Sequence, residues 1–368
     1  MPSAAAELLF ARYAPKNLEP KNSIGAKWVR LLERLDLKRI VGEKRVALKL
    51  HLGGGTGFTT VHPFFVRTLV EKVKAAGAKE VFATDGPWNV RGAAARGYTA
   101  ETIGCPLIPI TGTADKYFYR RPIKPAFKNF KQVQLAGEIV DADALIDLSH
   151  VKGHGACGFG GASKNLSMGC VTGATRGGIH ALEGGMAWDA KKCIHCNVCK
   201  ENCPNHAISF DKENHFNVFY HNCKFCQHCI LICPKKAIRM VGGAYKAFQR
   251  GMALTTTEVL KCFDPQHVLF VNTLMNVTVY CDCWGMTTPA IVPDIGILAG
   301  QDIVAIEQAS LDLIRTEDLI RNSLPKGWKL RGKGHLFERI HSKDPYVVVE
   351  YLEELKRGTR KYTLTEVE

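Results

Sequence analysis

The sequence lacks a long apolar run. Its best candidate for a membrane span, residues 267–292, is interrupted by Asn272, Asn276 and Asp282, whereas a membrane-spanning helix requires roughly 20 predominantly apolar residues. The first residues, MPSAAAELLFARYAPK, have no basic start ahead of a long apolar region and carry Glu7 in their apolar part, which argues against a secretory signal. We therefore expect a cytoplasmic protein without membrane insertion.

Acidic residues are comparatively scarce: 35 Asp and Glu stand against 49 Lys and Arg, a net charge of +14. A basic surface can attract nucleic acid, an acidic protein or an anionic substrate. The densest basic groups, at 116–131 and 356–361, lie in no nucleic-acid-binding module, which favours a solvated basic face and no nucleic-acid partner. Nucleotide motifs are also missing, because the glycine-rich segment 49–63 has neither a GK[ST] ending nor GxGxxG spacing.

The first part of the chain alternates strand and helix. Residues 44–50 and 80–85 are apolar, β-rich runs, and residues 63–76 between them have helical spacing, with Pro63 at the first turn and Gly77 as the stop. This pattern predicts a βαβ unit. The chain of 368 residues, 46% of them hydrophobic, is long enough for two or three domains with a buried core.

Similar α/β signals return later in the chain. We expect a buried strand at 144–151, a strand or hairpin at 268–280, an amphipathic helix at 302–314, and a C-terminal surface helix followed by a frayed end. The predicted fold class is α/β, with a mixed or parallel-sheet, two-lobed core.

Two cysteine runs share one pattern: CIHCNVCKENCP at 193–204 and CKFCQHCILICP at 223–234. Together they hold eight of the 14 cysteines, and in a chain without an export signal such spacing favours metal ligation over disulfides. CxxCxxCxxxCP is the ligand run of bacterial ferredoxins, in which three close thiolates bind one 4Fe–4S cluster and the fourth binds the other. Structural zinc sites, the alternative, would not need two such runs.

This pairing predicts two cross-ligated clusters within an inserted bacterial-type ferredoxin domain at 189–242, between core parts 1–188 and 243–368. The insert has eight Lys or Arg against four Asp or Glu, so it could dock an acidic redox partner. The ligands of cluster one are Cys193, Cys196, Cys199 and Cys233, and those of cluster two are Cys223, Cys226, Cys229 and Cys203.

A glycine-rich segment, KGHGACGFGGASKNLSMG at 152–169, comes just before the insert. Its glycines predict a loop whose backbone amides can approach a ligand closely, while its Lys and His side chains supply charge and proton transfer. The alternative is a tight structural turn packed against the insert. The candidate catalytic residues are Lys152, His154, Lys164 and His180, and the candidate ligand-binding residues are Gly160, Gly161, Asn165 and Arg176.

A second glycine-rich segment, 49–63, leads from a strand into the helix that begins at Pro63, where an anion could meet backbone amides. Lys49 and His51 point the same way from that strand, and Asp85 at the end of its own strand is a plausible companion. Asp294 and Asp302 are interpreted as helix caps.

Cys281 and Cys283 stand two apart, so in an extended strand both thiols would lie on one face. They could bind a metal or accept electrons, with Cys157 or Cys170 as companions. The alternative is that they are buried cysteines acting as small hydrophobic residues. Cys105 is interpreted as structural, and so is Cys262.

These segments resemble the "Fe-S center" proteins of the domain-of-unknown-function 362 family over about residues 25–320. The resemblance rests on HVKGHGACGFGGASKNLSMG, the ferredoxin-type insert, YCDCWG, and PDIGILAGQDIVAIEQASLDLI. It implies a shared domain organisation more than a particular reaction.

A more distant resemblance links His154, the glycines at 158–161, Lys164 and His180 to the nickel-pincer lactate racemase family. In that family the Lys anchors a nicotinate-derived cofactor, and His residues bind nickel or move the substrate proton. This chain has no clear counterpart of that family's other His and Arg positions, and that family carries no ferredoxin insert. The resemblance therefore implies a shared fold and pocket location rather than a shared cofactor.

The sequence predicts an oxygen-sensitive iron–sulfur oxidoreductase with two 4Fe–4S clusters. These clusters would relay single electrons to a small molecule or second cofactor at 152–169, because iron with full cysteine coordination has no open site and suits electron transfer. One alternative is a non-catalytic electron-transfer subunit of a larger redox complex. The other is a metal- or cofactor-assembly protein in which Cys281 and Cys283 exchange metal.

Overall fold

A computed structural model describes residues 4–204, 206–218, 223, 227–241, 245–330 and 332–368. Its strands are β1 (Ala6–Arg12), β2 (Arg45–Lys49), β3 (Glu80–Asp85), β4 (Leu107–Pro109), β5 (Phe118–Phe127), β6 (Phe130–Ala136), β7 (Ala144–His150), β8 (Lys152–His154), β9 (Gly158–Gly160), β10 (Gly185–Trp188), β11 (Ile208–Phe210), β12 (Phe216–Val218), β13 (Ile238–Val241), β14 (Val268–Leu274), β15 (Gly296–Gly300) and β16 (Tyr362–Glu366).

The α-helices are α1 (Ile24–Arg34), α2 (Leu37–Val41), α3 (Pro63–Ala75), α4 (Pro87–Arg91), α5 (Ala100–Ile103), α6 (Gly137–Val140), α7 (Ala162–Gly169), α8 (Gly173–Ala181), α9 (Val198–Glu201), α10 (His228–Ile232), α11 (Tyr245–Leu260), α12 (Ile303–Leu313), α13 (Leu336–His341) and α14 (Tyr346–Glu354). Short 3-10 helices lie at Pro20–Asn22, Ala93–Arg96, Pro265–His267, Asp282–Trp284 and Thr316–Asp318. Within the described ranges, no helix combines the length and apolar character needed to cross a membrane.

The core is built on one eight-stranded sheet in the order β16-β1-β15-β14-β7-β2-β3-β4. Neighbouring strands are parallel except on both sides of β15, which runs antiparallel to β1 and β14. The prediction of a mixed or parallel sheet is thus confirmed, and the sheet is mixed and mostly parallel. The predicted two lobes are not what the structure has, because β14 pairs with β7 in parallel register and joins both parts of the chain into one sheet.

The predicted βαβ unit is β2–α3–β3. Helix α3 begins with Pro63 at its first position, and His62 accepts a hydrogen bond from the Phe64 amide there. The side chains of Val66 and Val73 face inward with others at helical spacing. Burial of this apolar face holds α3 against the sheet.

Both faces of the sheet are covered, so successive side chains enter different cores. Val46 and Leu48 of β2 belong to one core with Trp28 of α1, while Ala47 between them belongs to the other. This second core also contains residues of α7, α11 and α12. Apolar residues on both sides of a strand are typical of parallel sheets covered by helices.

The cysteine-rich stretch has its own small core of Cys199, Cys203, Ala207, Ile208, Cys229 and Ile238. Strand β10 pairs antiparallel with β13, and β11 with β12. Because β10 precedes the stretch and β13 ends it, the two ends of the stretch lie side by side.

The prediction that 152–169 is a loop throughout was wrong. Strands β8 and β9 form a hairpin whose turn ends at Gly158, with φ of +81°, and α7 follows. The buried carboxylate of Glu307 accepts hydrogen bonds from the amides of Ala162 (2.8 Å) and Ser163 (3.2 Å), which satisfies the start of α7. This cap comes from a distant helix, so local sequence did not reveal it.

The C-terminal prediction was partly wrong as well. The expected helix is α14, but instead of fraying the chain continues into β16, which pairs in parallel with β1. Asp302 caps α12 as predicted, accepting from the amides of Val304 and Ala305 at 2.9 Å. Asp294 does not begin a helix; it accepts a hydrogen bond from the Asn276 amide.

Candidate functional site

A cavity of about 460 Å³ opens at the carboxyl ends of the parallel strands. His51 follows β2, Asp85 ends β3, and His150 ends β7, so three neighbouring strands each send a side chain into its wall. Ligands of open α/β sheets bind in this place. The cavity also brings together Lys152, His154, Gly160, Gly161, Lys164, Asn165, Arg176, His180, Cys223, Cys281 and Cys283.

Lys49 does not line this cavity but lies fully buried beneath it. Its Nζ donates to Asp85 Oδ1 at 3.0 Å and to Asn165 Oδ1 at 2.6 Å. Asp85 also accepts from the Leu52 amide at 2.9 Å and from Asn89 at 2.8 Å. Burial would raise the pKa of Asp85, but Lys49, His51 and the Leu52 hydrogen bond outweigh it and hold that pKa far below its usual range.

Asp147 is the second buried carboxyl group of this network. It accepts hydrogen bonds from Asn165 Nδ2 (2.6 Å) and Ser149 Oγ (2.9 Å). Burial raises the pKa of Asp147 to about 8, and the Lys49 charge and the two hydrogen bonds offset this only in part. At neutral pH, Asp147 therefore keeps its proton and Asp85 serves as the counter-ion of Lys49.

Lys152 is held by an acid that the sequence reasoning missed. Its Nζ is 3.5 Å from Asp282 Oδ2, which also lies 2.9 Å from His150 Nδ1. Burial would raise the pKa of Asp282, but His150 and Lys152 outweigh it and lower that pKa. The available signal was the position of Asp282 between two cysteines in YCDCWG.

Cys281 and Cys283 lie on the cavity wall, but not in an extended strand. The chain turns through the 3-10 helix Asp282–Trp284, and this turn directs both thiols toward Lys164. Lys164 Nζ lies 3.6 Å from Cys281 Sγ and 3.8 Å from Cys283 Sγ. Both thiols face the same way, as expected, but the cause is a turn of the chain and not the alternation of side chains along a strand.

The electrostatics of this group favour a thiolate beside an ammonium ion. Burial would raise the pKa of Cys281, but the hydrogen bond from Cys283 and the charge of Lys164 lower it well below the ordinary value. Burial would lower the pKa of Lys164, yet the neighbouring sulfurs raise it. Both shifts have the sign expected of an ion pair in a dry site.

Two histidines stand beside the thiols, each near a different sulfur. His154 Nε2 is 3.6 Å from Cys283 Sγ, and burial together with Lys164 holds the pKa of His154 well below its ordinary value, so the ring is neutral. His51 Nε2 is 3.9 Å from Cys281 Sγ, while its Nδ1 is 3.5 Å from Asp85 Oδ2. The cavity therefore offers both a neutral imidazole and one held by a carboxylate.

Three further predicted residues, Arg176, His180 and Gly161, have defined contacts within the protein. Arg176 donates to the carbonyl oxygens of Val171 (3.0 Å) and Met168 (3.3 Å), and the ring of His180 lies 4.8 Å from that of Phe248. A side chain at Gly161 would collide with the Glu307 carboxylate that caps α7. Close packing alone therefore explains why a glycine is needed at position 161, without a bound ligand.

The pKa values of the other cysteines in the core are raised, whereas that of Cys281 is lowered. Cys157 lies 3.3 Å from His154 Nδ1, and its pKa is raised by burial. Burial also raises the pKa of Cys170, and that of Cys105 and Cys262 to about 11. These thiols are neutral, as suits structural residues.

The cysteine-rich stretch holds a second, smaller cavity with apolar walls that include Trp188 and Phe216. The thiols around it come from both runs, since Cys233 joins three residues of the first. Four thiols around one cavity fit the ligand requirement of a 4Fe–4S cluster. They are Cys193, Cys196, Cys199 and Cys233.

The two runs share a further detail. The Ala207 amide donates to Cys203 Sγ at 3.3 Å, and the Ala237 amide donates to Cys233 Sγ at the same distance. Such hydrogen bonds to cluster sulfurs raise reduction potentials. Of the other ligands predicted for cluster two, Cys223 and Cys229 lie in the described residues and Cys226 lies outside them.

The fold and these two sites define an α/β protein with a ferredoxin-type cysteine region beside a strand-end cavity. The chain belongs to the family described as Domain of unknown function (DUF362), whose model matches residues 46–312. This membership confirms the family resemblance and covers the cavity and the cysteine-rich stretch alike.

Curated relatives match shorter stretches. The chain is 35% identical to a dihydromethanopterin reductase (acceptor) of Methanosarcina mazei over 83 residues, 22% of this chain and 34% of that protein. It is 40% identical to pyruvate synthase subunit PorD of Methanocaldococcus jannaschii over 53 residues, 14% and 62% of the two chains. A ferredoxin of Pyrobaculum islandicum is 34% identical over 50 residues, 14% and 47%. The chain thus spans only part of the length of each of these relatives.

Proposed function

We propose that the protein is an iron–sulfur oxidoreductase that passes single electrons through two 4Fe–4S clusters to a small anionic molecule in the strand-end cavity. The cysteine spacing and the ferredoxin and PorD relatives support iron–sulfur electron transfer. Fully cysteine-ligated clusters exchange electrons without binding substrate. The cavity would then supply the binding site that the clusters lack.

One observation carries this proposal: Cys223 lines the same cavity as Lys152, His154 and Lys164. Cys223 is a predicted ligand of cluster two. A cluster bound to that thiolate would lie at the cavity wall, so an electron could reach a bound molecule without a further carrier. This proximity would explain why the cysteine-rich stretch lies next to the cavity.

The cavity chemistry supports an anionic ligand. Lys152 is paired with Asp282, and Lys164 faces two thiols. Arg176, in contrast, contacts only carbonyl oxygens in the hydrogen bonds described for it, and no ion pair is found for it in the described residues. A ligand carboxylate or phosphate would complete its hydrogen bonding. His154 presents a neutral imidazole to the same cavity.

The thirteen described cysteines form no disulfide. Seven of them are predicted cluster ligands, and cysteines kept reduced suit a reducing compartment, so we propose the cytoplasm.

Analysis of anaerobically purified protein tests the proposal. We expect about eight iron and eight sulfide per chain, together with an organic anion that mass spectrometry detects after denaturation. Arg176→Gln should reduce the retained anion at least about tenfold, while Arg321→Gln, at an exposed position outside the cavity, should not. About eight irons with no retained or added anion bound would contradict an enzyme and favour a carrier.

The second candidate is an electron-transfer subunit. It is favoured by the PorD relative, which is named as a subunit of pyruvate synthase, and by the basic charge of 189–242. If the protein is such a subunit, an acidic donor protein should reduce its clusters, and the rate of this reduction should fall steeply as the ionic strength rises.

A further inference from the structure

The thiols of Cys281 and Cys283 and the Nε2 of His154 lie within 4.8 Å of one another. Cys283 Sγ and His154 Nε2 are 3.6 Å apart. Around a tetrahedral zinc ion with Zn–S of about 2.3 Å and Zn–N of about 2.0–2.1 Å, neighbouring sulfur and nitrogen ligands are about 3.5 Å apart. The Cys283–His154 pair therefore has the spacing of neighbouring zinc ligands, and Cys281 Sγ lies within 4.8 Å of both.

The backbone holds this Cys-x-Cys turn in place. Cys281 Sγ accepts a hydrogen bond from the Cys283 amide at 3.4 Å, and Gly285 with φ of +71° ends the turn. Asp282 points away into the buried contacts with His150 and Thr59, at 2.9 Å each. The two thiols are thus positioned by neighbours that are not ligands themselves.

His154 can present a lone pair to this site. In the structure, its Nδ1 accepts from the Ala156 amide (3.1 Å), which places the proton of the neutral ring on Nε2. Zinc binding at Nε2 requires the other tautomer, with the proton on Nδ1, which lies 3.3 Å from Cys157 Sγ. Because the Cys157 thiol donates to the carbonyl oxygen of Phe159 at 3.0 Å, its sulfur can accept a proton from Nδ1. In that tautomer Nε2 is unprotonated and faces Cys283. Metal-binding histidines usually donate their other ring N–H to a neighbouring acceptor.

The ligand types indicate the metal. Thiolate and imidazole ligands select borderline and soft ions such as Zn²⁺ over Mg²⁺ or Ca²⁺. Three protein ligands leave a fourth position, as in catalytic zinc sites. A zinc ion at this site replaces the Lys164 ammonium as the positive partner of the two thiols. All three ligands line the large cavity, so the open position faces the space where a small molecule would bind. His51, 3.9 Å from Cys281 Sγ, stands beside it.

We infer that Cys281, Cys283 and His154 bind one zinc-like divalent ion, whose exchangeable fourth position faces the strand-end cavity. This site is separate from the eight cysteines of the two runs and does not depend on the proposed electron transfer. A ligand group in the cavity would bind the ion directly.

Zinc binding to the full chain tests this inference. Anaerobically purified protein with its clusters is incubated with ZnCl₂, freed of unbound metal, and examined by elemental analysis and zinc-edge X-ray absorption, which iron does not obscure. We expect one zinc per chain, with two sulfur ligands at about 2.3 Å and nitrogen or oxygen ligands at about 2.0–2.1 Å. Cys281→Ala, Cys283→Ala and His154→Gln should each weaken zinc binding at least about tenfold.

Cys262→Ala is the matched control, because Cys262 is a half-buried thiol outside both cavities, and it should bind zinc like the wild type. Unchanged iron content and circular dichroism show that a variant has folded. The zinc-edge spectrum of the wild-type protein identifies the zinc ligands even if a variant fails to fold. A shell of four sulfurs, which would place zinc in the ferredoxin-type runs, overturns the inference. So does absence of zinc from the wild type, or undiminished binding in the folded His154→Gln protein.

Discussion

Asn165 Nδ2 donates a hydrogen bond of 2.6 Å to Asp147 Oδ1 beneath the cavity floor. The same amide group accepts from Lys49 through its oxygen. Asn165 thereby separates a protonated acid from a buried ion pair, and it does so from the helix that also carries Lys164. The binding surface and the charged layer below it are consequently one hydrogen-bonded unit.

Asp147 should make the protein less stable as the pH rises. Its folded pKa, raised to about 8 by burial, exceeds the ordinary value of 3.8, so the folded state holds this proton more tightly. The associated stability is complete below about pH 4 and is lost as the pH approaches and passes about 8. Asp147→Asn should reduce the fall in Tm between pH 6 and pH 9 by several degrees, measured anaerobically by calorimetry. The exposed Glu43→Gln change is the control; equal slopes in wild type and Asp147→Asn would refute the assignment.

Asp85→Asn should be strongly destabilising, by about 3–5 kcal/mol, because it leaves the Lys49 ammonium buried without its counter-ion. Thermal unfolding and resistance to protease measure the loss. Adding Lys49→Met to the variant removes the uncompensated charge and should restore much of the stability. If the double variant is no more stable than Asp85→Asn, the buried pair is not the cause.

Glu307→Gln should loosen the start of α7. The carboxylate accepts from the Ala162 and Ser163 amides, and an amide side chain has only one accepting oxygen, so about 1–3 kcal/mol should be lost. Because α7 carries Lys164 and Asn165, hydrogen exchange of its amides should accelerate. Gln308→Ala, at the next position of α12, should leave that exchange unchanged, and equal protection in all three proteins would contradict the capping role.

Cys233→Ser should affect the cluster proposed for the first run, although Cys233 belongs to the second. The reason is that Cys233 lines one cavity with Cys193, Cys196 and Cys199. Its electron paramagnetic resonance spectrum should match that of Cys196→Ser and differ from that of Cys229→Ser. A spectrum like that of Cys229→Ser would mean that each run binds its own cluster.

Local sequence patterns were enough to predict several helices and strands of this protein. The apolar runs and Pro63 identified β2, α3 and β3, because their periodicity and helix start are encoded within a few residues. Strand β1 and the edge strand β16 were not predicted, since β16 becomes a strand only by pairing with β1 from the opposite end of the chain. Asp282 was missed for a similar reason: its partners His150 and Lys152 are distant in sequence.

The sequence by itself was enough to predict the ligand chemistry of the cysteine runs, because CxxCxxCxxxCP places thiols at spacings set by the backbone. Only the tertiary structure decided what surrounds the cavity. Lys164 and Cys281 are 117 positions apart, and Glu307 caps α7 from 145 positions away. Contacts of this kind follow from the order and register of strands in the sheet, since burial of both faces selects the register and no local spacing encodes it.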